Sequence, residues 1–417
     1  MSEWKTYKIK EFAEVVGGGT PNTTISVYWN GNISWITPRD LTGYRKTYIS
    51  SGERKITEVG LKNSSSKLLP RGSVLITSRA PIGYVAIAEQ EVCTNQGFKS
   101  LIINEKIANN LFIYYWVVNN TDFLNQMGTG TTFAEISGSV VKEIEIVLPP
   151  HEEQKAIASV LSSLDDKIDL LNRQNETLEK MAETLFRKWF VEPYKKYQSE
   201  GIITDEFQLE TFLKWISETV GGEWGKEVMD NDFSKAAICL RGTDIADLNS
   251  GLAERAPLRF VKPKKFENIE PQNGDILIEI SGGTETQSTG RTTYINDEVR
   301  SLFDYELVFS NFCRLIKIKD FRYSYFVYSY LQYLYKQDEF FNLENGSSGI
   351  KNLDYKTLLF DLKFPMPSED LVINFHDTVE PLFKKINKNK LQIKSLSKLR
   401  DTLLPKLMSG EVRVKLD

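Results

Sequence analysis

Histidine and cysteine are scarce in this chain, and their scarcity removes much of the chemistry a 417-residue protein could carry. Cys93, Cys239 and Cys313 are odd in number and far apart, which suggests neither a disulfide framework nor a zinc site. His151 and His376 each fall near the start of a predicted long helix, a placement that suits a structural role better than general acid–base work. No apolar run approaches the roughly 20 residues a membrane span needs. The opening residues, MSEWKTYKIKEF, lack the apolar core of a signal peptide, so a cytoplasmic chain without a membrane partner is expected. Nucleotide loops are missing as well: GGEWGK at 221–226 lacks Walker A spacing, and Gly17-Gly18-Gly19 is not GxGxxG. There is no Asn-Pro-Pro-aromatic tetrad of the adenine-methyltransferase kind, since Pro149-Pro150 lead into His151. A basic excess is absent too, the formal net charge being −4, which argues against a chain coated in phosphate-binding charge. Binding or assembly is favoured over catalysis, with no catalytic residue, cofactor or metal of its own expected.

What the chain does have is a heptad seam that occurs twice. In 151–192 a 4-3-4-3 spacing picks out Ile157, Leu161, Leu164, Ile168, Leu171, Asn175, Leu178, Ala182, Leu185 and Trp189. An offset of 218 gives Phe375, Val379, Leu382, Ile386, Asn389, Ile393, Leu396, Arg400, Leu403 and Leu407. Sustained heptads predict two long helices, each with one narrow apolar edge that must be buried against a partner. The first segment, 151–192, has nine acids and six bases; 371–417 has five acids and ten bases, so the two suit each other better than themselves. Antiparallel pairing that sets Asn175 against Asn389 lets two buried amides satisfy each other.

The segments before the helices also repeat. FAEVVGG at 12–18 answers ISETVGG at 216–222, and Arg39-Asp40-Leu41 answers Thr243-Asp244-Ile245, both offset by 204. Arg71–Ser78 answers Asn273–Ile280, and Gly130-Thr-Thr answers Gly346-Ser-Ser. Each module reads as short β-runs between Gly-rich turns, VLITS, YVAIA and SLIIN in the first, DILIEI and CRLIKI in the second. An aromatic helical stretch follows (111–127 and 323–341), whose rings suit core packing. A last strand stopped by proline feeds the long helix. The expected fold is α+β, with two similar mixed α/β modules separated by two long helices in an antiparallel coiled coil. The boundaries are module one at 1–150, first helix at 151–192, linker at 193–210, module two at 211–367, and second helix with tail at 368–417. Pro193 is expected to stop the first helix and Pro381 to kink or split the second.

The ordered elements Gly17-Gly-Gly-Thr-Pro21, Trp35-Ile-Thr-Pro-Arg-Asp-Leu41, Leu69-Pro-Arg-Gly-Ser-Val-Leu-Ile76, Ile82-Gly-Tyr-Val-Ala86, Thr94-Asn-Gln-Gly-Phe98, Leu148-Pro-Pro-His-Glu-Glu-Gln154 and Leu403-Leu-Pro-Lys-Leu-Met-Ser-Gly-Glu411 resemble the specificity subunits of type I restriction–modification systems. The second module departs from that pattern, with Gly221-Gly222-Glu223 and Pro365-Met-Pro367, which weakens transfer of single residues but not of architecture. The resemblance implies two target-recognition domains, each reading half of a bipartite, asymmetric site on double-stranded DNA, with the helices as ruler. It also implies docking of methyltransferase subunits, two of them expected, and a motor-nuclease subunit. S-adenosylmethionine, ATP and magnesium would belong to those partners.

Base reading favours Arg, Lys, Asn, Gln and Ser/Thr on loops, and phosphate grip favours Lys and Arg. In the first module these criteria select Arg39, Arg45, Lys46, Arg54, Lys55, Arg79, Thr129, Thr131 and Thr132. In the second they select Arg241, Arg255, Arg259, Lys262, Lys264, Lys265, Arg291, Ser347 and Ser348, with Arg241, Arg291 and the two serines taken as counterparts of the first set. Two other readings stay open: a duplicated protein-interaction scaffold that does not bind DNA, and an enzyme with an unrecognised motif. Salt-dependent duplex binding separates the first reading from the scaffold, and methyl transfer by the isolated chain would support the enzyme.

Overall fold

A computed structural model describes residues 3–129, 134–200, 206–249, 255–346 and 351–415. The chain divides into two compact units, Met1–Asp169 with Leu396–Asp417, and Leu170–Ser395. Each long helix therefore contributes one part to each unit. Helix α1 spans His151–Phe186 and α2 spans Glu369–Ser409.

In the first unit, β-branched runs with no proline form a five-stranded sheet in the order Ala13–Gly17, Lys99–Ile103, Val74–Ile76, Val85–Ala88, Tyr48–Ile49. Beside it lies a three-stranded sheet in which Trp29–Ile36 pairs antiparallel with Arg54–Ile56 and parallel with Cys93–Thr94. Lys5–Lys8 pairs with Glu145–Leu148, the strand that leads into α1. Burial of Ile9, Phe12, Val74, Phe112, Tyr115 and Ile146 with Ile157 and Leu161 of α1 and Leu404 and Leu407 of α2 makes one core.

The second unit has a similar scheme, lacking a counterpart of Tyr48–Ile49 and adding a three-stranded sheet of Ser281–Gly282, Lys351–Leu353 and Glu344–Asn345. Ile216–Gly221, Cys313–Ile318, Ile276–Glu279 and Thr292–Tyr294 are neighbours in that order, with the antiparallel sense of their counterparts. Lys235–Leu240 pairs antiparallel with Leu258–Val261 and parallel with Leu307–Phe309. Phe207–Glu210 pairs with Phe364–Pro367, the strand before α2. The core here is aromatic: Phe186, Phe190, Trp215, Phe326 and Phe375 are all buried. The Gly-Gly pairs that announce the repeat have a steric cause. A Cβ at Gly18 would strike the Asn95 carbonyl, and one at Gly222 would strike those of Phe309 and Ser310.

The start of α1 explains the Pro-Pro-His-Glu-Glu-Gln run. Gln154 is buried, accepts from the Asn109 amide at 2.8 Å and donates to the Pro149 carbonyl at 2.9 Å. Glu153, also buried, takes the Arg413 guanidinium in a two-bond pair, which ties the segment after α2 to the start of α1. Glu152 is left at the exposed N-terminal turn, where the helix dipole favours an acid.

Within the second unit the two helices run antiparallel. Asn389 Nδ2 donates to Asn175 Oδ1 at 2.8 Å, and the rings of Trp189 and Phe375 lie 5.9 Å apart; the residue numbers of both pairs sum to 564, the register expected from the seam. Asn175 and Asn389 are both buried. Among the other seam positions Ile157, Leu161, Leu171, Ile386 and Ile393 are buried, while Leu164, Ile168, Leu178, Leu185, Leu382, Leu396 and Leu403 are half-buried. Arg400 enters the seam in the first unit by pairing with Asp165 at 2.8 Å, and Asp165 also accepts the Tyr115 hydroxyl at 2.7 Å. Asn389→Leu should cost about 1–3 kcal/mol, because it strands the Asn175 amide. The double variant with Asn175→Leu should recover most of it, and urea denaturation of the three chains checks this.

The stop expected at Pro193 and the split expected at Pro381 need correction. Pro193 does not end the helical run, which continues through a π-turn at Arg187–Val191 into a helix Glu192–Glu200. The Glu192 amide reaches back to the Arg187 carbonyl. That widened turn gives the pyrrolidine ring room and absorbs the missing donor. The proposed linker thus begins as helix. Pro381 does not split α2, which is continuous across it. Val379, Phe383 and Ile386, all nearly inaccessible, flank it, and their burial outweighs one lost backbone bond.

Candidate nucleic-acid interface

In each unit the turns that follow the two parallel strands of the smaller sheet lie at the same end of that sheet. In the first unit Thr37–Leu41 is a tight turn with Asp40 as its organiser. Asp40 Oδ2 accepts from the Thr37 amide at 2.7 Å and hydroxyl at 2.6 Å, and Oδ1 accepts from the Glu53 amide at 2.7 Å. The turn displays Arg39, whose side chain is 86% exposed and 3.9 Å from Glu53. In the second unit Asp244 holds the Arg241 amide at 2.8 Å in the same way. The repeated Asp is therefore a structural cap.

Arg45, Lys46, Arg54 and Lys55 are all exposed. Lys46 lies 4.0 Å from Asp169, and the Arg54 guanidinium lies over the Trp29 ring, 3.6 Å from its centroid and 5.6 Å from that of Trp35, the two indoles being edge to face. The stack fixes Arg54 while leaving its edge open to an anion. Arg79 is otherwise occupied. It donates two bonds to Glu135, at 2.7 and 3.1 Å, and Lys99 joins them at 3.2 Å. The Arg79 bonds, then those of Lys99, hold the Glu135 carboxyl below the usual carboxylate range. Thr129 exchanges backbone bonds with Glu135 and keeps an exposed side chain. Thr131 and Thr132 lie outside the described residues, as do Ser347 and Ser348.

The second set fares differently. Arg241 makes a bidentate pair with Asp244, both bonds 2.8 Å, and donates to the Arg255 carbonyl. Arg291 makes one with Glu279, at 2.6 and 2.9 Å, and Glu279 is only 2% exposed. Arg259 is buried between Glu227, at 2.7 Å, and the Trp224 ring. Arg255, Lys262 and Lys264 stay on the surface, with Lys265 half-buried beside them. Arg241 and Arg291 are also not counterparts of the first set. By matching backbone bonds, Arg241 stands where Thr37 stands, and Arg291 where Tyr84 does. An Arg count carries no information on which carboxylate lies opposite.

The fold brings one uncharged turn to the same end. Asn95–Phe98, part of the Thr-Asn-Gln-Gly-Phe run, packs against Pro38 of the Arg39 turn, and Gly97 accepts from the Ser78 amide at 2.8 Å. Exposed Gln96 is held there by the Thr20 hydroxyl. Among the described residues no group of His, Cys, Asp and Glu could hold a metal ion, and no helix is long and apolar enough to cross a membrane. The surface is one of polar turns and fixed cations on a rigid sheet end, suited to contacting a polyanion.

Residues 1–180 match the type I restriction modification DNA specificity domain family. The type I restriction enzyme MjaIX specificity subunit of Methanocaldococcus jannaschii is 36% identical over 434 residues, which cover 99% of this chain and 94% of that one. The HindI specificity subunit of Haemophilus influenzae is 20% identical over 99% of this chain and the whole of its own length. In fold the chain is similar to the crystal structure of the type I restriction–modification S subunit from M. genitalium, with a TM-score of 0.60 at 17% identity, covering 100% and 97% of the two chains. With a relative of that identity along nearly its whole length, the chain belongs to the specificity subunits of type I restriction–modification systems, which are not themselves enzymes.

Proposed function

We propose that this chain is the DNA-reading subunit of a type I restriction–modification complex, in which each module reads one half of a bipartite, asymmetric target. The observation that carries this reading is one sheet scheme used twice with different side chains on its turns. A duplicated frame accounts for two half-sites, and divergent turns account for their asymmetry. The modules correspond to 1–150 and 211–367, and 151–192 with 368–417 form the coiled coil between them. Phosphate grip falls to Arg39, Arg45, Lys46, Arg54 and Lys55 in one module and to Arg255, Lys262, Lys264 and Lys265 in the other. Half-buried seam leucines, with Leu170, Met181 and Leu399 more exposed still, leave apolar helix surface for methyltransferase subunits. A motor-nuclease subunit joins them, and catalysis belongs to these partners, in the cytoplasm.

The helix pair sets the unread gap. At 1.5 Å per residue the 36 residues of α1 extend about 54 Å and the 41 of α2 about 62 Å. One heptad inserted into both helices adds about 10 Å, or about three base pairs at 3.4 Å each. Mapping genomic adenine methylation, with partner subunits expressed, is expected to show one gapped motif that depends on this gene. In the insertion variant the gap should lengthen while both half-sites stay the same. An unchanged methylome on deletion of the gene would refute the reading. The absence of a basic excess, with Arg79, Arg241, Arg259 and Arg291 all held by carboxylates, favours the interaction scaffold as second reading. Duplex affinity that is absent, or that does not fall with salt, would support it.

A further inference from the structure

The uncharged turn at Asn95–Phe98 is built like the turn at 310–313 in the second module. In the first, the Asn95 amide donates to the Ile36 carbonyl at 3.0 Å, Phe98 N closes on Asn95 O at 3.3 Å, and Gly97 N donates to Asn95 Oδ1 at 2.9 Å. In the second, the Ser310 amide donates to the Leu240 carbonyl at 2.9 Å, Cys313 N closes on Ser310 O at 3.0 Å, and Phe312 N donates to Ser310 Oγ at 3.3 Å. The outer carbonyls match as well: Gly97 O accepts from Ser78 N at 2.8 Å, and Phe312 O accepts from Ile280 N at 2.8 Å. The opposite side repeats too, with the Gly19 amide donating to the Thr94 carbonyl at 2.9 Å and the Glu223 amide to the Phe309 carbonyl at 2.8 Å. The two backbones are thus pinned from three sides in the same way, and Asn95, Gln96, Gly97 and Phe98 correspond to Ser310, Asn311, Phe312 and Cys313.

The side chains diverge, inward from Phe98 to Cys313 and outward from Gly97 to Phe312, while Gln96 is answered by exposed Asn311 at the matching position. Gln96 is exposed, and the Thr20 hydroxyl donates to its Oε1, so the amide plane is set and its N–H pair is directed elsewhere. Where the first module has Gly97, against Pro38 and with no room for a large side chain, the second has Phe312, 51% exposed. A phenylalanine left open to water on a turn fixed by its own backbone contributes nothing to the core, so its cost is unexplained by folding. A held amide donor at the second position of this turn in one module and an apolar ring at the third position in the other are different readers for base edges: amide donors suit purine and carbonyl acceptors, and an apolar ring suits a thymine methyl.

Resting on the DNA-reading function above, we propose that this turn is the base-facing element of each module, with Gln96 a specificity-determining donor in one half-site and Phe312 a specificity-determining apolar contact in the other. The asymmetry of the target then lies in two side chains on one conserved backbone geometry, while Arg39, Arg54 and Lys262 supply grip without sequence information.

The test uses the full chain assembled with its methyltransferase subunits and selects bound duplexes from a library randomised in both half-sites. The wild-type assembly is expected to select a gapped, asymmetric site. Phe312→Gly, which installs the first module's residue, should lower affinity for that site about tenfold and lose preference at one position of a single half-site. Gln96→Ala should do the same in the other half-site. Phe312→Leu keeps the turn apolar and should retain most of the selection, and it still reports if the glycine variant loosens the turn. Variants that select the wild-type site with unchanged affinity would overturn the assignment, as would a loss of preference in both half-sites from either single change. A wild-type assembly that selects no site would refute the DNA-reading function itself, an outcome seen before any variant is compared.

Discussion

Arg291→Met is expected to lower the unfolding free energy of the second unit by about 3–5 kcal/mol, since it leaves a buried carboxylate without its partner. Glu279 is 2% exposed, and both of its oxygens take bonds from Arg291. The Arg291 guanidinium is in turn held above its ordinary pKa by those bonds. For a unit of this size the loss corresponds to a drop in Tm on the order of 10 °C. The double variant Arg291→Met/Glu279→Gln should recover much of it, because the residue then buried is neutral. Arg39→Met is the contrasting case: on an open turn it should leave the melt unchanged while weakening duplex binding and flattening its salt dependence. Thermal melts together with binding at two ionic strengths separate these roles. An Arg291→Met chain that melts with the wild type would show that the pair does not support the fold.

The second large effect concerns Lys390, buried at 6% exposure in the helix next to Asn389. Burial pulls its ammonium down to about 8, against 10.5 for a free lysine, with Glu179 opposing the shift only in part. Between those two values the unfolded chain binds a proton that the folded chain has released. Stability from this group therefore rises with pH through that window, by about 1.4 kcal/mol per unit and about 3 kcal/mol in all. Below about pH 8 the charged amine sits where water cannot reach it. Lys390→Met should stabilise the protein at neutral pH by about 1–3 kcal/mol and remove that rise. Denaturant midpoints followed from neutral pH to near 10 decide the matter, and parallel curves for the two chains would refute it. A buried lysine beside an Asn pair also disfavours slipped pairings of the two helices, which is a use for a residue that lowers stability.

Much of the architecture is written locally, and so was legible. Heptad spacing is a property of adjacent turns, so the seam from Ile157 to Leu185 and from Leu382 to Leu403 could be read directly. The 564 register follows because an unpaired buried amide is costlier than almost any slip of two leucines. The repeat of VGG, of the Asp40 and Asp244 turns and of the VLI and ILI strands was visible for the same reason: each reflects a steric or hydrogen-bonding need within a few residues.

What tertiary structure alone decided is which polar side chains are free. Arg79 meets Glu135, Arg259 meets Glu227 and Arg413 meets Glu153 across separations that no spacing rule spans. The first two of these contacts put candidate DNA ligands into ion pairs, while the uncharged Gln96 is left exposed. Pro193 and Pro381 make the same point from the other side. Proline's cost is local and predictable, but the burial of Phe190, Val379 and Phe383 that outweighs it is collective. Sequence determined the elements, their repeat and their pairing because those needs are short-range. Tertiary structure decided the surface, because charge pairing and burial are settled by residues that meet only when the chain has folded.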